Sequence, residues 1–455
     1  MNLKEKRALV VGLGRTGEAV CTFLLQRGAR VKISEQKTAE ELGNHFHSWQ
    51  KKGVEIESGG HKLHSFLEAS VIIPSPGVPY LSELEEAKNK GIPILSEIEL
   101  AFRFLKGKVV GITGTNGKST TATLAHNILT EGGFRSHLAG NIGIPLIQFV
   151  EQSHPEDIYV TEISSFQLKY VEKFRAAVSV FLNVSPDHLD WHIDFNDYYE
   201  SKKNLFLKQK KEDTAILNRD DPPVWTLRNL GEFRVYGFSQ KSNLTRGCWI
   251  RNDWIILANE KQERLMKTGE VPLLGTHNRE NIMASALVGY VFGVSPSTIK
   301  KSIKGFRGLE HRLEKVLALG KVEFYNDSKA TNVDATLKSI LSFDGPIILI
   351  LGGRDKGGNF SLLKKPIKHR VKTIILIGEA KEKIEKSLNG TAPMMKASDL
   401  REAVYLAYSA AQPKGVVLLA PACTSFDMFQ NFEERGRAFK TEVWALKNRM
   451  NQGKV

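Results

Sequence analysis

Short apolar runs alternate with amphipathic stretches along the whole chain, beginning at its N-terminus. The run ALVVGLG at 8–14 has the pattern of a buried strand. The next stretch, from Glu18 to Arg27, has the pattern of a helix, and Gly28 is placed to end it. A second strand-like run, RVKIS, follows at 30–34. This order predicts a parallel βαβ unit at the start of the chain.

The same alternation continues to the end of the chain and predicts an α/β fold with mainly parallel sheets. A chain of 455 residues is too long for one compact core, so about three domains are expected. We expect these domains at 1–100, 101–305 and 306–455, with a polar, strand-like insert near 233–270 and a connector at 305–316. Further apolar runs of strand length lie at 71–79, 92–97, 108–113, 158–164, 177–185, 214–218, 322–328, 346–353, 373–378 and 415–421.

Composition and charge limit the classes of function. The chain carries 64 basic and 50 acidic residues, a formal net charge of +14. Because the basic residues are spread along the chain, the charge suits small polyanionic nucleotides and does not indicate nucleic-acid binding. The three cysteines are far apart and odd in number, which favours a reducing cytoplasm over a disulfide framework. We expect neither a signal peptide nor a membrane span, since no apolar run is long enough.

A glycine-rich turn joins the first strand to the first helix. Gly12, Gly14 and Gly17 have the spacing GxGxxG, which lets the backbone approach a diphosphate at a helix N-terminus. Glu35 ends the second strand, near where an acidic residue can hold a ribose hydroxyl. The pattern indicates a nucleotide diphosphate, such as NAD or FAD, with a purely structural tight turn as the alternative.

A second glycine-rich loop, GITGTNGKSTT at 111–121, lies between a predicted strand and a predicted helix. It departs from the pattern GxxxxGK[ST] because Ile112 stands where the leading glycine is expected. Backbone N–H groups of such a loop surround phosphates, Lys118 can reach the β- and γ-phosphates, and Ser119 or Thr120 can bind Mg²⁺. This setting predicts ATP binding.

Candidate cation ligands follow two later strands. Carboxylates and imidazoles at strand ends can bind divalent cations beside a phosphate loop. The alternatives are a solvated strand-end acid and an ordinary polar turn. The candidates are Glu162, at the end of one strand, and Asp187, His188, Asp190 and His192 in the segment NVSPDHLDWH after the other.

Further polar clusters occur at predicted strand ends and helix starts, where open α/β sheets bind ligands. In each case a structural role is the alternative, such as helix capping for an asparagine or a surface ion pair for an arginine. Lys202 and Lys203 lie on a predicted helix, and lysine chemistry alone indicates surface residues there. The clusters contain His277, Asn278 and Asn281; Arg312; Asp327, Lys329 and Thr331; Lys356; and Ser425, which is expected at a helix N-terminus.

Taken together and in order, these segments resemble the Mur ligases over nearly the whole chain. The segments are GTNGKST, EISSFQL, NVSPDHLDWH, GTHNRENI, EHRLE, NDSKATN, LGGRDKGG and ACTSFDMFQNFEERG. GLGRTG with SPGVP, and the ACTSFD…NFEERG ending, resemble the branch of the family that adds D-glutamate. The resemblance implies a Rossmann-like UDP-binding domain, a central P-loop ATPase domain and a C-terminal Rossmann-like domain that binds D-glutamate.

The resemblance also implies an activity. An enzyme of this branch joins D-glutamate to UDP-N-acetylmuramoyl-L-alanine with ATP, through an acyl phosphate, in the cytoplasmic part of peptidoglycan synthesis. The implied cofactors are two Mg²⁺ ions and a carbamylated lysine, and a monomer is expected. The alternatives are a sister Mur ligase or a folylpolyglutamate-type ligase, a nicotinamide-dependent oxidoreductase, and a non-catalytic nucleotide-binding regulator.

Carried over residue by residue, the family pattern implies four groups of site residues, of which Lys118, Glu162, His188 and Lys202 are the expected catalytic ones. Lys202 is preferred to Lys203 from its spacing to DHLD and its place before Phe206. The positions that bind the UDP-sugar in the family are occupied here by Gly14, Arg15, Thr16, Glu35, Gln36, Ser75, Gly77 and Asn141. Glu35 and Gln36 stand in place of an Asp–Thr type of pair. ATP falls on Gly114, Thr115, Asn116, Gly117, Lys118, Ser119, Thr120, Asn278, Asn281, Arg312 and Asp327. The metal ligands are Ser119, Glu162, His188 and Lys202 as a carbamate, and D-glutamate falls on Lys329, Thr331, Lys356, Ser425 and Phe432.

Overall fold

A computed structural model describes residues 1–189, 191–259 and 261–452 of the chain. This part of the chain forms two compact units. The first contains Met1–Glu270 and Glu280–Gly305, and the second contains Val271–Arg279 and the residues from Phe306 onward. Two β-sheets belong to the first unit and one to the second. Within the described ranges, every helix is too short or too polar to cross a lipid bilayer.

The first sheet has four parallel strands in the order β3-β2-β1-β4. Helix α1 packs on β1 and β2 and buries Val20 and Leu24, which lie four residues apart on one helical face. The predicted βαβ opening is confirmed, although α1 begins at Arg15 rather than Glu18. The strands are β1 Arg7–Val11, β2 Arg30–Glu35, β3 Glu55–Ser58 and β4 Val71–Pro74; the helices are α1 Arg15–Gln26, α2 Ala39–Leu42, α3 Asn44–Lys51, α4 Leu63–Leu67, α5 Ser82–Asn89 and α6 Glu97–Phe102.

The second sheet has nine strands in the order β13-β12-β11-β10-β9-β8-β5-β7-β6. The insert predicted near 233–270 is confirmed as β10 to β13. Short connections join β11, β12 and β13 and leave no room for a crossover helix, so these strands pair antiparallel while the rest pair in parallel. The strands are β5 Lys108–Thr113, β6 Ser136–Gly140, β7 Ile158–Glu162, β8 Val178–Phe181, β9 Thr214–Asn218, β10 Arg234–Ser239, β11 Gly247–Arg251, β12 Trp254–Ala258 and β13 Gln262–Lys267; the helices are α7 Lys118–Glu131, α8 Ser165–Lys169, α9 Phe195–Lys203, α10 Pro222–Thr226, α11 Thr276–Val291 and α12 Pro296–Gly305.

The third sheet has six strands in the order β14-β15-β19-β16-β17-β18, all parallel except for β14 with β15. The connector predicted at 305–316 is partly wrong, because β14 begins inside it at Glu314. Gly320, with a φ of 60°, reverses the chain between β14 and β15. The strands are β14 Glu314–Leu319, β15 Lys321–Asn326, β16 Ile347–Gly352, β17 Val371–Ile377, β18 Met394–Lys396 and β19 Lys414–Leu419; the helices are α13 Val333–Leu341, α14 Lys364–Arg370, α15 Lys381–Leu388, α16 Leu400–Ala411 and α17 Phe432–Asn451.

The apolar run at 92–97 does not form a strand. Ile94 makes a single bridge to Ile72, and Pro93 has no N–H to donate to a ladder. Ser96 then caps α6, its side-chain oxygen accepting the Glu99 N–H at 3.4 Å. A short apolar run of this kind fits a strand or the start of a buried helix equally well.

A buried carboxylate ties α6 to the segment that leads into β8. Oε2 of Glu99 accepts the backbone N–H groups of Glu172, Lys173 and Phe174 at 2.7–2.9 Å. Its Oε1 accepts Nε of Arg103 at 2.7 Å, and the Glu99 side chain is fully buried. The carboxylate therefore joins the end of the N-terminal part of the chain to the central sheet through charge-assisted hydrogen bonds.

We predict that Glu99→Ala lowers the free energy of unfolding of the first unit by about 3 kcal/mol, because it leaves buried N–H groups without an acceptor. The matched control is Glu172→Ala, which removes an exposed partner of the same Arg103 and should cost less than about 1 kcal/mol. Urea unfolding followed by far-UV circular dichroism measures both. Equal effects of the two substitutions would contradict the role assigned to Glu99.

Candidate active site

A cleft of about 480 Å³ opens beside the glycine-rich turn of the first sheet. The loops that follow β1, β2, β4 and β6 line it, so it lies at the carboxyl ends of parallel strands. The structure brings together in this cleft all eight residues that the family resemblance assigned to a UDP-sugar: Gly14, Arg15, Thr16, Glu35, Gln36, Ser75, Gly77 and Asn141.

The walls of the cleft pack so closely that glycine is required in the turn. A Cβ atom on Gly12, which has a φ of 86°, would lie 2.8 Å from Cγ2 of Val78. A Cβ atom on Gly17 would lie 2.1 Å from the Gly12 carbonyl oxygen. The Ser75 hydroxyl donates to the same carbonyl at 2.9 Å. The loop after β4 is therefore held directly against the glycine-rich turn.

Glu35 shapes this turn. One carboxylate oxygen accepts the Leu13 N–H at 2.6 Å, and the other accepts the Lys37 N–H at 3.0 Å. The side chain therefore joins the loop after β2 to the loop after β1, at the edge of the cleft.

The phosphate loop begins where β5 ends and continues into α7. Gly117 caps the helix with a φ of 89°, and the helix begins directly at Lys118. The N-terminus of a helix is a favourable place for an anion. A Cβ atom on Gly117 would lie 2.2 Å from Oδ1 of Asn281, so this asparagine of α11 touches the loop. Ser119 and Thr120 lie buried in the first turn of α7.

Two residues that sequence analysis did not select hold the phosphate loop in shape. Oδ1 of Asn183 accepts the Asn116 N–H at 2.9 Å, and Nδ2 of Asn183 donates to the Asn116 carbonyl at 3.1 Å. The Thr115 hydroxyl lies 3.1 Å from the hydroxyl of Tyr198. Tyr198 could have been found from its position four residues before Lys202, on the same face of α9.

Two lysine amines converge beneath this loop. Nζ of Lys118 donates to the carbonyls of Gly114 and Thr115 at 2.8 and 2.9 Å. Nζ of Lys202 donates to the same Gly114 carbonyl at 3.1 Å, and the residue is only 1% exposed. Burial, with the nearby charge of Lys118, holds the pKa of Lys202 well below its usual range. Lys203 points elsewhere and pairs with Glu200 at 3.0 Å.

Glu162 connects the phosphate loop to the cleft. It ends β7, which pairs with β5, and it is only 3% exposed. Nδ2 of Asn141 donates to Oε1 of Glu162 at 2.9 Å, and the Asn141 N–H donates to the Glu162 carbonyl. A predicted cation ligand and a predicted UDP-sugar residue are therefore in direct contact.

The two histidines of the segment 183–192 occupy different environments. His192 is 2% exposed, and both ring nitrogens are engaged, with Asp197 at 2.7 Å and with Ser165 at 2.9 Å. His188 has a φ of 54°, and its ring lies against Phe166 at 4.9 Å. His192 therefore has a structural role, and His188 is the better cation candidate of the two. Asp190 lies outside the described residues.

Three of the residues assigned to ATP, Asn278, Arg312 and Asp327, belong to the second unit. Nδ2 of Asn278 donates to the Leu274 carbonyl at 2.6 Å near the start of α11. Asp327 follows β15 and accepts the Leu313 N–H at 3.3 Å and the Ser339 hydroxyl. Burial raises the pKa of Asp327 to about 6, and the bond from Ser339 and the charge of Arg312 oppose that rise.

The residues assigned to D-glutamate lie on neighbouring loops of the third sheet. Nζ of Lys329 lies 3.7 Å from the centre of the Phe432 ring. Backbone hydrogen bonds in both directions between Arg354 and Thr424 join the loop of the exposed Lys356 to the loop of Ser425. The Thr331 N–H donates to the Lys329 carbonyl at 2.8 Å.

The helix N-terminus predicted at Ser425 is wrong. The Ser425 carbonyl accepts the N–H groups of Met428 and Phe429, which makes a single turn that does not continue. Helix α17 begins only at Phe432, where the Asn431 side chain accepts the Glu434 N–H. The buried Ser425 therefore contributes no helix N–H groups to an anion site.

Arg435, which sequence analysis did not select, joins these loops. Its guanidinium donates to the carbonyls of Ser328, Cys423 and Thr424 at 2.8–3.1 Å and is 1% exposed. Burial lowers its pKa to about 10, so it stays protonated at neutral pH. The residue stands in the NFEERG segment, where nothing in the local sequence shows that the side chain turns inward.

Comparison with known proteins places the chain in a family. Residues 6–96 match the family profile described as "Mur ligase MurD-like, N-terminal domain", residues 112–289 match "Mur ligase middle domain", and residues 311–423 match "Mur ligase, glutamate ligase domain". A UDP-N-acetylmuramoylalanine–D-glutamate ligase from Acidobacterium capsulatum is 43% identical over 449 residues, 98% of this chain and 97% of that protein. The chain belongs to the Mur ligase family. Mur ligases use ATP and Mg²⁺.

Other relatives agree with this assignment. A ligase of the same name from Caldanaerobacter subterraneus is 40% identical to this Mur ligase over 452 residues, 98% of this chain and 100% of that protein. Among solved structures, a pseudomurein peptide ligase type C from Methanothermus fervidus has a TM-score of 0.60 at 20% identity, covering 97% of this chain and 100% of its own. A UDP-N-acetylmuramate-alanine ligase from Thermotoga maritima has a TM-score of 0.59 at 14% identity, with the same coverage. The predicted three-domain α/β architecture is confirmed.

We predict that Gly117→Ala in this Mur ligase weakens ATP binding by at least about tenfold, because the new methyl group must displace Asn281 or distort the loop. Gly133→Ala is the matched control: its φ of 85° imposes the same backbone strain, about 1 kcal/mol, but no atom lies within 4 Å of the new Cβ. Titration with a fluorescent ATP analogue measures both affinities. An unchanged affinity in Gly117→Ala would show that the contact with Asn281 does not shape the nucleotide site.

Proposed function

We propose that this Mur ligase joins D-glutamate to UDP-N-acetylmuramoyl-L-alanine with cleavage of ATP to ADP and phosphate, and that it works as a monomer in the cytoplasm. One observation carries the proposal: the cleft that suits a nucleotide diphosphate meets the phosphate loop at the contact between Asn141 and Glu162. A substrate that is a nucleotide at one end and a carboxylate at the other suits such an arrangement. The names of the relatives, at 40–43% identity over nearly the whole chain, support the same substrate and amino acid.

The residues beneath the phosphate loop fit Mg²⁺. Hydroxyl and carboxylate oxygens are the ligands that this ion prefers, and Ser119 and Glu162 offer them from buried positions. We assign one ion to these two residues and a second to His188 and a carbamylated Lys202. When bound, the ions supply positive charge that reduces the repulsion between phosphate and carboxylate.

Carbamylation removes the difficulty of a lysine at a cation site. Lys202 is fully buried and shares a carbonyl acceptor with Lys118, an environment that disfavours a second ammonium group. A neutral amine can add to carbon dioxide: an N–C bond forms, a proton leaves, and the side chain becomes an anionic carbamate. The carbamate places a negative charge next to the positive charge of Lys118, and its oxygens can act as ligands for Mg²⁺.

The proposed reaction has two steps. First, an oxygen of the alanyl carboxylate attacks the γ-phosphorus of ATP; a new P–O bond forms, the bond to the β-phosphate oxygen breaks, and ADP leaves. Second, the amine of D-glutamate attacks the carbonyl carbon of this acyl phosphate, loses a proton, and displaces inorganic phosphate. Lys118 and the N–H groups at the start of α7 stabilise the transferring phosphoryl group, and an oriented group of this kind contributes about 3 kcal/mol.

The second unit supplies the proposed amino-acid site. Lys329, packed on Phe432, and the exposed Lys356 offer two positive charges for the two carboxylates of D-glutamate. L-Glutamate should be a poor substrate, because inversion of the α-carbon prevents both carboxylates and the attacking amine from being satisfied together. Arg312 and Asp327, with Asn278, are assigned to ATP.

One assay separates this proposal from its alternatives. The purified protein is incubated with ATP, Mg²⁺, UDP-N-acetylmuramoyl-L-alanine and radiolabelled D-glutamate, and the label is followed into the UDP-linked product. A sister ligase would use another amino acid, and a folylpolyglutamate-type ligase would need a folate acceptor. A nicotinamide-dependent oxidoreductase and a non-catalytic regulator would form no product.

We predict that Lys202→Ala is at least about a hundredfold less active and is partly rescued by acetate, because a short carboxylate can replace the carbamate. The matched control, Lys203→Ala, should be nearly normal, because adjacent helical residues point about 100° apart and Lys203 pairs with Glu200. Initial rates with and without acetate give the comparison. A sensitive Lys203 and a tolerant Lys202 would overturn the assignment.

We predict that Lys356→Ala raises the KM for D-glutamate about 10- to 100-fold, since a charge-assisted hydrogen bond contributes about 1.5–3 kcal/mol. The KM values for ATP and for the UDP-sugar should change much less. Lys368→Ala, which removes an exposed lysine from α14, is the control and should leave all three values unchanged. Steady-state kinetics with each substrate varied in turn is the test. A defect of Lys356→Ala confined to ATP would remove this loop from the D-glutamate site.

A further inference from the structure

The indole ring of Trp191 joins two loops that come from different sheets of the first unit. Its Nε1–H donates to the Val78 carbonyl at 2.7 Å, between residues 113 positions apart in the chain. Val78 belongs to the loop after β4, which lines the cleft. Trp191 belongs to the loop after β8, which carries His188. The bond therefore connects the nucleotide cleft of the N-terminal part of the chain to the central sheet.

The Val78 end of this bond is fixed. The Val78 N–H donates to the Ser75 carbonyl at 3.0 Å, which closes a turn. The Val78 side chain occupies the space that a Cβ atom on Gly12 would need. The Ser75 hydroxyl donates to the Gly12 carbonyl, so the turn and the glycine-rich loop are held together. The Val78 carbonyl is therefore part of a hydrogen-bonded and closely packed cleft wall.

The Trp191 end is fixed to the loop after β8, which is called the cation loop below because it carries His188, a proposed cation ligand. The Trp191 N–H donates to the His188 carbonyl at 3.1 Å. The indole ring lies 4.6 Å from the rings of both Phe166 and His192, and Phe166 also contacts His188. Nζ of Lys169 also packs on the indole ring, 5.1 Å from its centre. Trp191 and His188 therefore belong to one packed cluster.

We propose that Trp191 is a positioning residue for phosphoryl transfer, which sets the separation between the nucleotide cleft and the cation loop. This inference rests on the proposed function, because it requires one substrate to reach from the cleft to the phosphate loop. Such a substrate is held at its nucleotide end and reacts at its carboxylate end. An error of about 1 Å between the two ends can cost on the order of a hundredfold in rate while the nucleotide end still binds.

The test is Trp191→Phe, which keeps an aromatic ring against Phe166 and His192 and removes only the N–H donor and the larger ring. We expect kcat to fall about tenfold and the affinity for UDP, measured by calorimetry, to stay within about twofold. Hydrogen exchange should become faster at the Val78 N–H. Trp254→Phe, the same change on β12, is the control and should leave kcat and exchange at Val78 unaltered.

A second variant distinguishes loss of the hydrogen bond from loss of packing. Trp191→His restores an aromatic N–H donor in a smaller ring and should recover part of the lost kcat relative to Trp191→Phe. Equal kcat values in Trp191→Phe and the wild type overturn the inference, and so does a loss that appears only as weaker UDP binding. These results are distinguishable from failure of the proposed function, in which the wild type itself incorporates no D-glutamate.

Discussion

Two amines that share one carbonyl oxygen constrain the whole central site. Lys118 and Lys202 both donate to the Gly114 carbonyl, and the second of them is buried from solvent. Two ammonium groups that bind the same carbonyl oxygen away from water repel each other strongly. The arrangement therefore favours the neutral form of Lys202, the more buried of the two. The negative charges of Asp187 and Glu162 oppose this effect but do not cancel it, so the pKa of Lys202 stays low. In the proposed complex, the phosphates of ATP, divalent ions and a carbamate at Lys202 would rebalance these charges.

Much of the fold and of this site follows from local sequence. A buried strand that ends in a glycine-rich turn and leads into a helix is visible at Gly12 and again at Gly117, and both turns form as expected. Because parallel strands end at a common edge, Glu162 could be expected beside the phosphate loop from its place at the end of a strand. The choice of Lys202 over Lys203 came from family resemblance, since an isolated lysine pair on a helix indicates surface residues.

What could not be predicted depends on which strands become neighbours. Nothing near Arg435 shows that its side chain meets the carbonyls after β15 and β19: Cys423 is 12 positions away and Ser328 is 107 positions away, and the pairing of β15 with β19 brings the two together. The wrong helix start at Ser425 has a similar origin. A polar residue before a helix resembles a helix cap, but the same sequence is equally compatible with a local turn at Ser425 and a start of α17 several residues later. The antiparallel β14 was missed because one glycine, Gly320, suffices for the reversal.

The two bonds between Asn183 and Asn116 give a side-chain amide the role of a neighbouring strand. A carboxamide presents one acceptor and one donor on the same side of its plane, as a strand residue presents its own C=O and N–H to a residue on the next strand. Aspartate has the same shape and could accept the Asn116 N–H, but its second oxygen would face the Asn116 carbonyl, acceptor against acceptor. The identity of residue 183 is therefore set by hydrogen-bond polarity and not by size, and even an isosteric replacement would open the loop on one side.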